Sequence, residues 1–108
     1  MNADSYWRKH DDMARYEVHR TDSNAHALYD YARSLGLSVE VINRPIDAMV
    51  GAFGRMVAVE VKRPKGKLRE SQVAFQQRWR GPFIVWRDES DVERTLIYCR
   101  CGTWPGDR

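Results

Sequence analysis

The stretch Met56-Val57-Ala58-Val59-Glu60-Val61-Lys62 alternates its side chains between two faces of an extended chain. Val57, Val59 and Val61 share one face, apolar enough to line a core, while Glu60 and Lys62 share the other. The pattern predicts a strand over Arg55–Lys62. Directly behind it, Arg63-Pro64-Lys65-Gly66-Lys67-Leu68-Arg69-Glu70-Ser71-Gln72 reads as a loop crowded with positive charge. Two interpretations of the Glu60–Lys62 face stay open at this level. One is a salt-bridged sheet surface, the other half of a metal-binding catalytic site.

Upstream of this strand, Gly51-Ala52-Phe53-Gly54 has turn chemistry and Ile46–Val50 reads as a partner strand. Pro45 marks a break, and Ser38–Asn43 reads as a further strand. Thr21-Asp22-Ser23 offers a helix start, Ala25, Leu28, Tyr29, Ala32 and Leu35 recur at helical spacing, and Gly36 supplies the stop. Downstream, Leu68–Trp79 has helical periodicity ended by Gly81-Pro82, Pro82–Trp86 gives a short strand, and Asp88–Tyr98 a last helix. Residues 1–19 are a charged arm or helix, and 99–108 a loose tail. The expected class is α/β, a small mixed sheet flanked by helices in the order α-β-β-β-α-β-α.

A chain of 108 residues suits one domain, and 43% hydrophobic with 31% charged residues places it among ordinary globular chains. No apolar run approaches the roughly 18 residues that span a bilayer, and the N-terminus lacks a signal-peptide core. A cytosolic protein with no membrane partner is expected. The net charge of +3 says little, but its distribution says more. Lys62, Arg63, Lys65, Lys67, Arg69, Arg78 and Arg80 face a single acid, Glu70, in that span. Such a cluster suits a polyanion, because neutralising phosphates releases condensed counterions; a solvated basic loop would look the same. Cys99 and Cys101 enclose one residue, tighter than the about two to four left by zinc-binding pairs, so reduced thiols are expected. His10, His19 and His26 have no zinc-binding spacing either.

The hairpin constrains the acids. With an even number of loop residues, paired positions add to an odd number, as Asp47 and Glu60 do. They therefore share a face, with Cβ atoms about 5 Å apart if opposed and about 7–8 Å if diagonal. Two adjacent carboxylates repel unless something positive lies between them. Mg²⁺ fits, since it keeps several waters and needs only one or two carboxylates plus phosphate oxygens. Lys62 on the same face would then stabilise negative charge or orient a water. The bland alternative is a Glu-X-Lys ion pair on a solvated strand.

Asp47, Glu60-Val61-Lys62, Leu68-Arg69-Glu70-Ser71-Gln72, Trp79-Arg80-Gly81 and Ile84-Val85-Trp86-Arg87, in that order, resemble the PD-(D/E)XK nuclease superfamily. The pattern is most similar to the virus-type replication-repair nuclease (VRR-NUC) domain and small stand-alone phage nucleases. Arg20-Thr21-Asp22-Ser23-Asn24 resembles the Arg-X-Asp-X-Asn opening of some small members, so the likeness covers about residues 20–97 and implies a nuclease domain over 20–98. One departure is the family's Pro-Asp pair, which here reads Pro45-Ile46-Asp47. A one-residue shift would turn the aspartate to the opposite face.

The resemblance implies a restriction-endonuclease-like core and a Mg²⁺- or Mn²⁺-dependent endodeoxyribonuclease. In it Asp47, Glu60 and the Val61 carbonyl hold metal and Lys62 is the catalytic lysine. Gln72 touches phosphate or the attacking water, unless it is an exposed helix glutamine. The first-helix acid is Asp22 or, less well matched, Glu17; Asp22 also suits a helix N-cap. Arg20, Arg63, Lys65, Lys67, Arg69 and Arg78 would contact DNA, branched or structured as for junction resolvases, in a homodimer serving DNA repair or phage replication. The rival classes are a non-catalytic nucleic-acid-binding module and a phage structural or replication subunit.

Overall fold

A computed structural model describes residues 24–106. Within them the order is α1 (Ala25–Ser34), β1 (Ser38–Val41), β2 (Ala48–Ala52), β3 (Arg55–Val61), α2 (Glu70–Arg78), β4 (Phe83–Trp86) and α3 (Glu89–Cys101). The strands form one sheet ordered β1-β2-β3-β4, antiparallel at the first two junctions and parallel between β3 and β4. The chain is a small α/β protein with a four-strand mixed sheet. The expected arm and the Thr21-Asp22-Ser23 helix start lie outside the described residues.

The position of β3 determines the rest. It is flanked by strands on both sides, and both of its faces are covered. Val57, Val59 and Val61 join Ala25, Leu28 and Tyr29 of α1 and Val92 and Cys99 of α3 in the main core. Ala58, on the other face, packs with Ile46 and with Phe75 of α2. A parallel pair needs a crossover connection, and here the crossover carries α2 over the polar face of β3. Glu60 is consequently 1% exposed and Lys62 8%. The reading of this face as a solvated ion-pair surface is therefore corrected: strand alternation alone does not reveal which face a later helix covers.

The β2–β3 hairpin closes through Phe53-Gly54, both at positive φ (54° and 78°), between the paired Ala52 and Arg55. Two successive left-handed residues match the twist of the flanking strands, which is why Gly occupies the second place. The turn is tighter and β2 starts later than expected, at Ala48 instead of Ile46, but the even loop length holds. Ala48 pairs with Val59. One step outward, the same register brings Asp47 opposite Glu60.

Other boundaries shift for local reasons. β1 stops at Val41 because the next two amides turn to the Asp47 carbonyl, Ile42 N–H at 2.8 Å and Asn43 N–H at 3.0 Å. Arg69 and Trp79 are extended, so α2 spans Glu70–Arg78. Asp88 caps α3, its carboxylate accepting from Ser90 N–H at 3.0 Å and Asp91 N–H at 3.3 Å. That helix runs past Tyr98 to Cys101, stopped by Gly102 at φ 82°. Cys99 and Cys101 are free thiols. Cys99 is thus a core residue and not part of a loose tail, and Trp104 stacks on Tyr98 with ring centroids 4.4 Å apart.

Trp86 is wholly buried at the end of β4, and its indole N–H donates to Thr95 Oγ1 at 2.9 Å. The Thr95 hydroxyl in turn donates to the Asp91 carbonyl at 2.9 Å. Thr95→Val keeps the shape and strips the indole of its acceptor. A loss of about 1–3 kcal/mol is expected in urea-unfolding equilibria, since a buried donor left unpaired forfeits its full solvation.

Candidate functional site

Asp47 is fixed at both ends of its residue. Its carbonyl accepts the Ile42 and Asn43 amides, with Asn43 at φ 69°, and its Oδ2 accepts Val61 N–H at 2.7 Å. That amide needs a partner. On the β2 side the β-ladder ends at Ala48–Val59, so the next amide facing that way, Val61, meets the Asp47 side chain instead. A residue in a strand points its N–H and C=O to the same neighbour, so the Val61 carbonyl leaves on the Asp47 side too. The Pro45-Ile46-Asp47 interruption does not turn the aspartate away. Ile46 is absorbed into the smaller core, and the hairpin register keeps Asp47 on the face of Glu60, beside its carboxyl.

Glu60 is the anomaly of the molecule. Its Oε1 accepts from Gln72 Nε2 at 2.6 Å, yet its buried Oε2 has no hydrogen-bond donor. Burial first, then the proton it can share with the neighbouring Asp47 carboxylate and that carboxylate's charge, push the Glu60 carboxyl up to about 9; Lys62 and Arg69 pull it back in part. A buried carboxylate oxygen beside a second carboxylate can be satisfied by a proton shared between the two acids or by a cation.

Gln72 is 6% exposed and faces the site, which removes the reading of it as an exposed helix glutamine. Its Oε1 accepts Arg69 N–H at 2.8 Å, so its amide can offer only Nε2 to Glu60. One side chain thus caps the start of α2 and orients the carboxylate. Lys62 continues the face, its N–H donating to the Trp86 carbonyl at 2.9 Å and its carbonyl accepting from Asn24 Nδ2 at 3.4 Å. Among the described residues Lys62 forms no ion pair with Glu60 or Asp47.

Arg63, Lys65, Lys67, Arg69 and Arg78 are exposed, so all five can reach a polyanion. The first four line the loop that leaves Lys62, while Arg78 lies at the far end of α2 over the Phe75 ring, 5.2 Å from its centroid. Arg20, Asp22 and Glu17 lie outside the described residues. His26 is exposed and sits edge-on to Tyr29, with no part in the acidic pair. Arg87, the last residue of the Ile84–Arg87 motif, makes a contact not expected from the sequence. Its Nη1 donates to the carbonyls of Gly66 (2.6 Å), Arg63 (3.0 Å) and Pro64 (3.4 Å). An arginine just after a strand gives no sequence signal for such a contact.

Among the described residues no group of three or more His, Cys, Asp or Glu side chains converges on one point. The acidic centre is a pair, and a hard dication there would complete its shell with backbone carbonyl, water and phosphate oxygens, as Mg²⁺ commonly does. The donorless Glu60 Oε2 fits that use. No family model, curated protein or solved structure matches this chain.

Proposed function

We propose that this protein is a divalent-metal-dependent deoxyribonuclease with a restriction-endonuclease-like core of the PD-(D/E)XK kind, similar to VRR-NUC domains. The observation that carries the reading is the buried Glu60 carboxylate, opposite Asp47 in the hairpin register, with one oxygen lacking any donor. Asp47 and Glu60 would hold Mg²⁺ or Mn²⁺, with the Val61 carbonyl as a further oxygen. The bound ion supplies Lewis-acid polarisation of the phosphate and a water acidic enough to attack near neutral pH. Lys62, on the same face, stabilises the charge that builds on the phosphate oxygens. Gln72 keeps Glu60 in its rotamer.

Arg63, Lys65, Lys67 and Arg69 grip the DNA backbone, and Arg78 extends the contact along α2. Phosphate contacts of this kind position a duplex without reading sequence, which suits selection by DNA shape. Internal cleavage of branched or structured DNA by a homodimer in the cytosol, in repair or phage replication, is the form of the activity we propose. The test is incubation with linear, flap and four-way DNAs in Mg²⁺, Mn²⁺ or chelator. Cleavage with either ion and none with chelator is expected. Salt-sensitive binding with no cleavage in any ion would instead identify a non-catalytic nucleic-acid-binding module, and absence of both a structural subunit.

A further inference from the structure

The geometry points to Arg87 as a positioning residue that holds the Arg63–Gly66 turn against Lys62, an inference that rests on the nuclease reading above. Arg63-Pro64-Lys65-Gly66 is a tight turn, closed by Gly66 N–H donating to the Arg63 carbonyl at 2.8 Å. Three of its carbonyls, those of Arg63, Pro64 and Gly66, converge on Arg87 Nη1. Carbonyls gathered on one point repel each other unless a donor or cation sits among them, and the guanidinium supplies both.

Arg87 is itself held. Its N–H donates to Asp91 Oδ2 at 2.8 Å, and it follows Trp86, whose carbonyl accepts Lys62 N–H. The turn is also close to the lysine. A Cβ built on Gly66 would lie 3.3 Å from the Arg63 carbonyl oxygen and 3.5 Å from Lys62 Cβ. The chain of interactions runs from α3 through Arg87 to the turn and on to the base of Lys62. It fixes the lysine and simultaneously presents Arg63 and Lys65 outward. Without Arg87, the turn's carbonyls lose their shared donor, and the phosphate grip and the reactive amine loosen together.

Arg87→Ala, Arg87→Lys and Gly66→Ala are compared with wild type in the intact protein, each checked for cooperative thermal unfolding. In Arg87→Ala, hydrogen exchange at the Gly66 amide accelerates by about tenfold or more, which requires no activity to observe. On a cleaved DNA, kcat falls by about tenfold or more, because small misplacements of reacting groups are costly. KM rises as well, and the salt dependence of DNA binding flattens by about one unit of slope for each phosphate that is no longer gripped. A merely unstable protein would lose active fraction without changing KM or slope. Arg87→Lys, which keeps a cation with three donors, recovers part of each effect. Gly66→Ala crowds the turn from inside and moves KM and salt slope in the same direction. If wild type cleaves and Arg87→Ala keeps its KM, salt slope and Gly66 protection, the positioning role is wrong. If wild type does not cleave, the nuclease reading fails, and unchanged Gly66 exchange in Arg87→Ala would overturn the turn-holding role by itself.

Discussion

Lys62→Met and Asp47→Asn each lower metal-dependent DNA cleavage by at least about a hundredfold, while the fold survives. The two substitutions act on different parts of the site. Methionine keeps an unbranched side chain of similar length in a position only 8% exposed, so packing is retained while the ammonium is lost. Asparagine keeps a carbonyl oxygen for the Val61 amide, so the 2.7 Å bond that ties Asp47 to β3 survives while the charge disappears. Single-turnover cleavage with saturating Mn²⁺, beside circular dichroism at the same temperature, measures both. Wild-type rates in either variant would show that these groups do not carry the reaction.

Glu60→Gln is expected to move stability and activity in opposite directions. In the metal-free protein the folded Glu60 carboxyl keeps its proton to about 9, against 4.5 for an unperturbed glutamic acid. Between those values the native state binds more protons than the unfolded one. Stability therefore falls as pH rises, by up to about 1.4 kcal/mol per pH unit, and is highest below about pH 4.5 as far as this group is concerned. Glu60→Gln offers the Gln72 donor an oxygen and adds no charge to lose. It should unfold at higher urea concentration than wild type at pH 8, show a flatter pH profile from 5 to 9, and be inactive. A destabilising carboxylate retained in a core is what a functional site costs a fold. Equal pH profiles for the two proteins would contradict the assignment.

Much of this site was legible because hairpin arithmetic needs only loop parity. The turn residues shifted, yet Asp47 still fell opposite Glu60, since moving the strand ends changes no pairing while the loop count stays even. Element order followed from the alternation at Val57–Lys62, the helical spacing in α1 and the Gly81-Pro82 stop. The burial of Glu60, Lys62 and Gln72 was not legible. It comes from α2 folding back over β3, a tertiary event that strand alternation does not encode. The link between Arg87 and the basic turn was hidden for a related reason: the Ile84–Arg87 motif marks the arginine but says nothing of its partners, backbone carbonyls more than twenty residues away. Helix α3 outran its expected end because Cys99 packs in the core and Gly102 supplies the stop.

The sharing of one dication by Asp47 and Glu60 is most directly tested by anomalous scattering from crystals soaked in Mn²⁺. One peak at ligand distance from both carboxylates, absent from Asp47→Asn crystals soaked identically, is the predicted result. Manganese bound elsewhere, or bound at that point regardless of the aspartate, would contradict it.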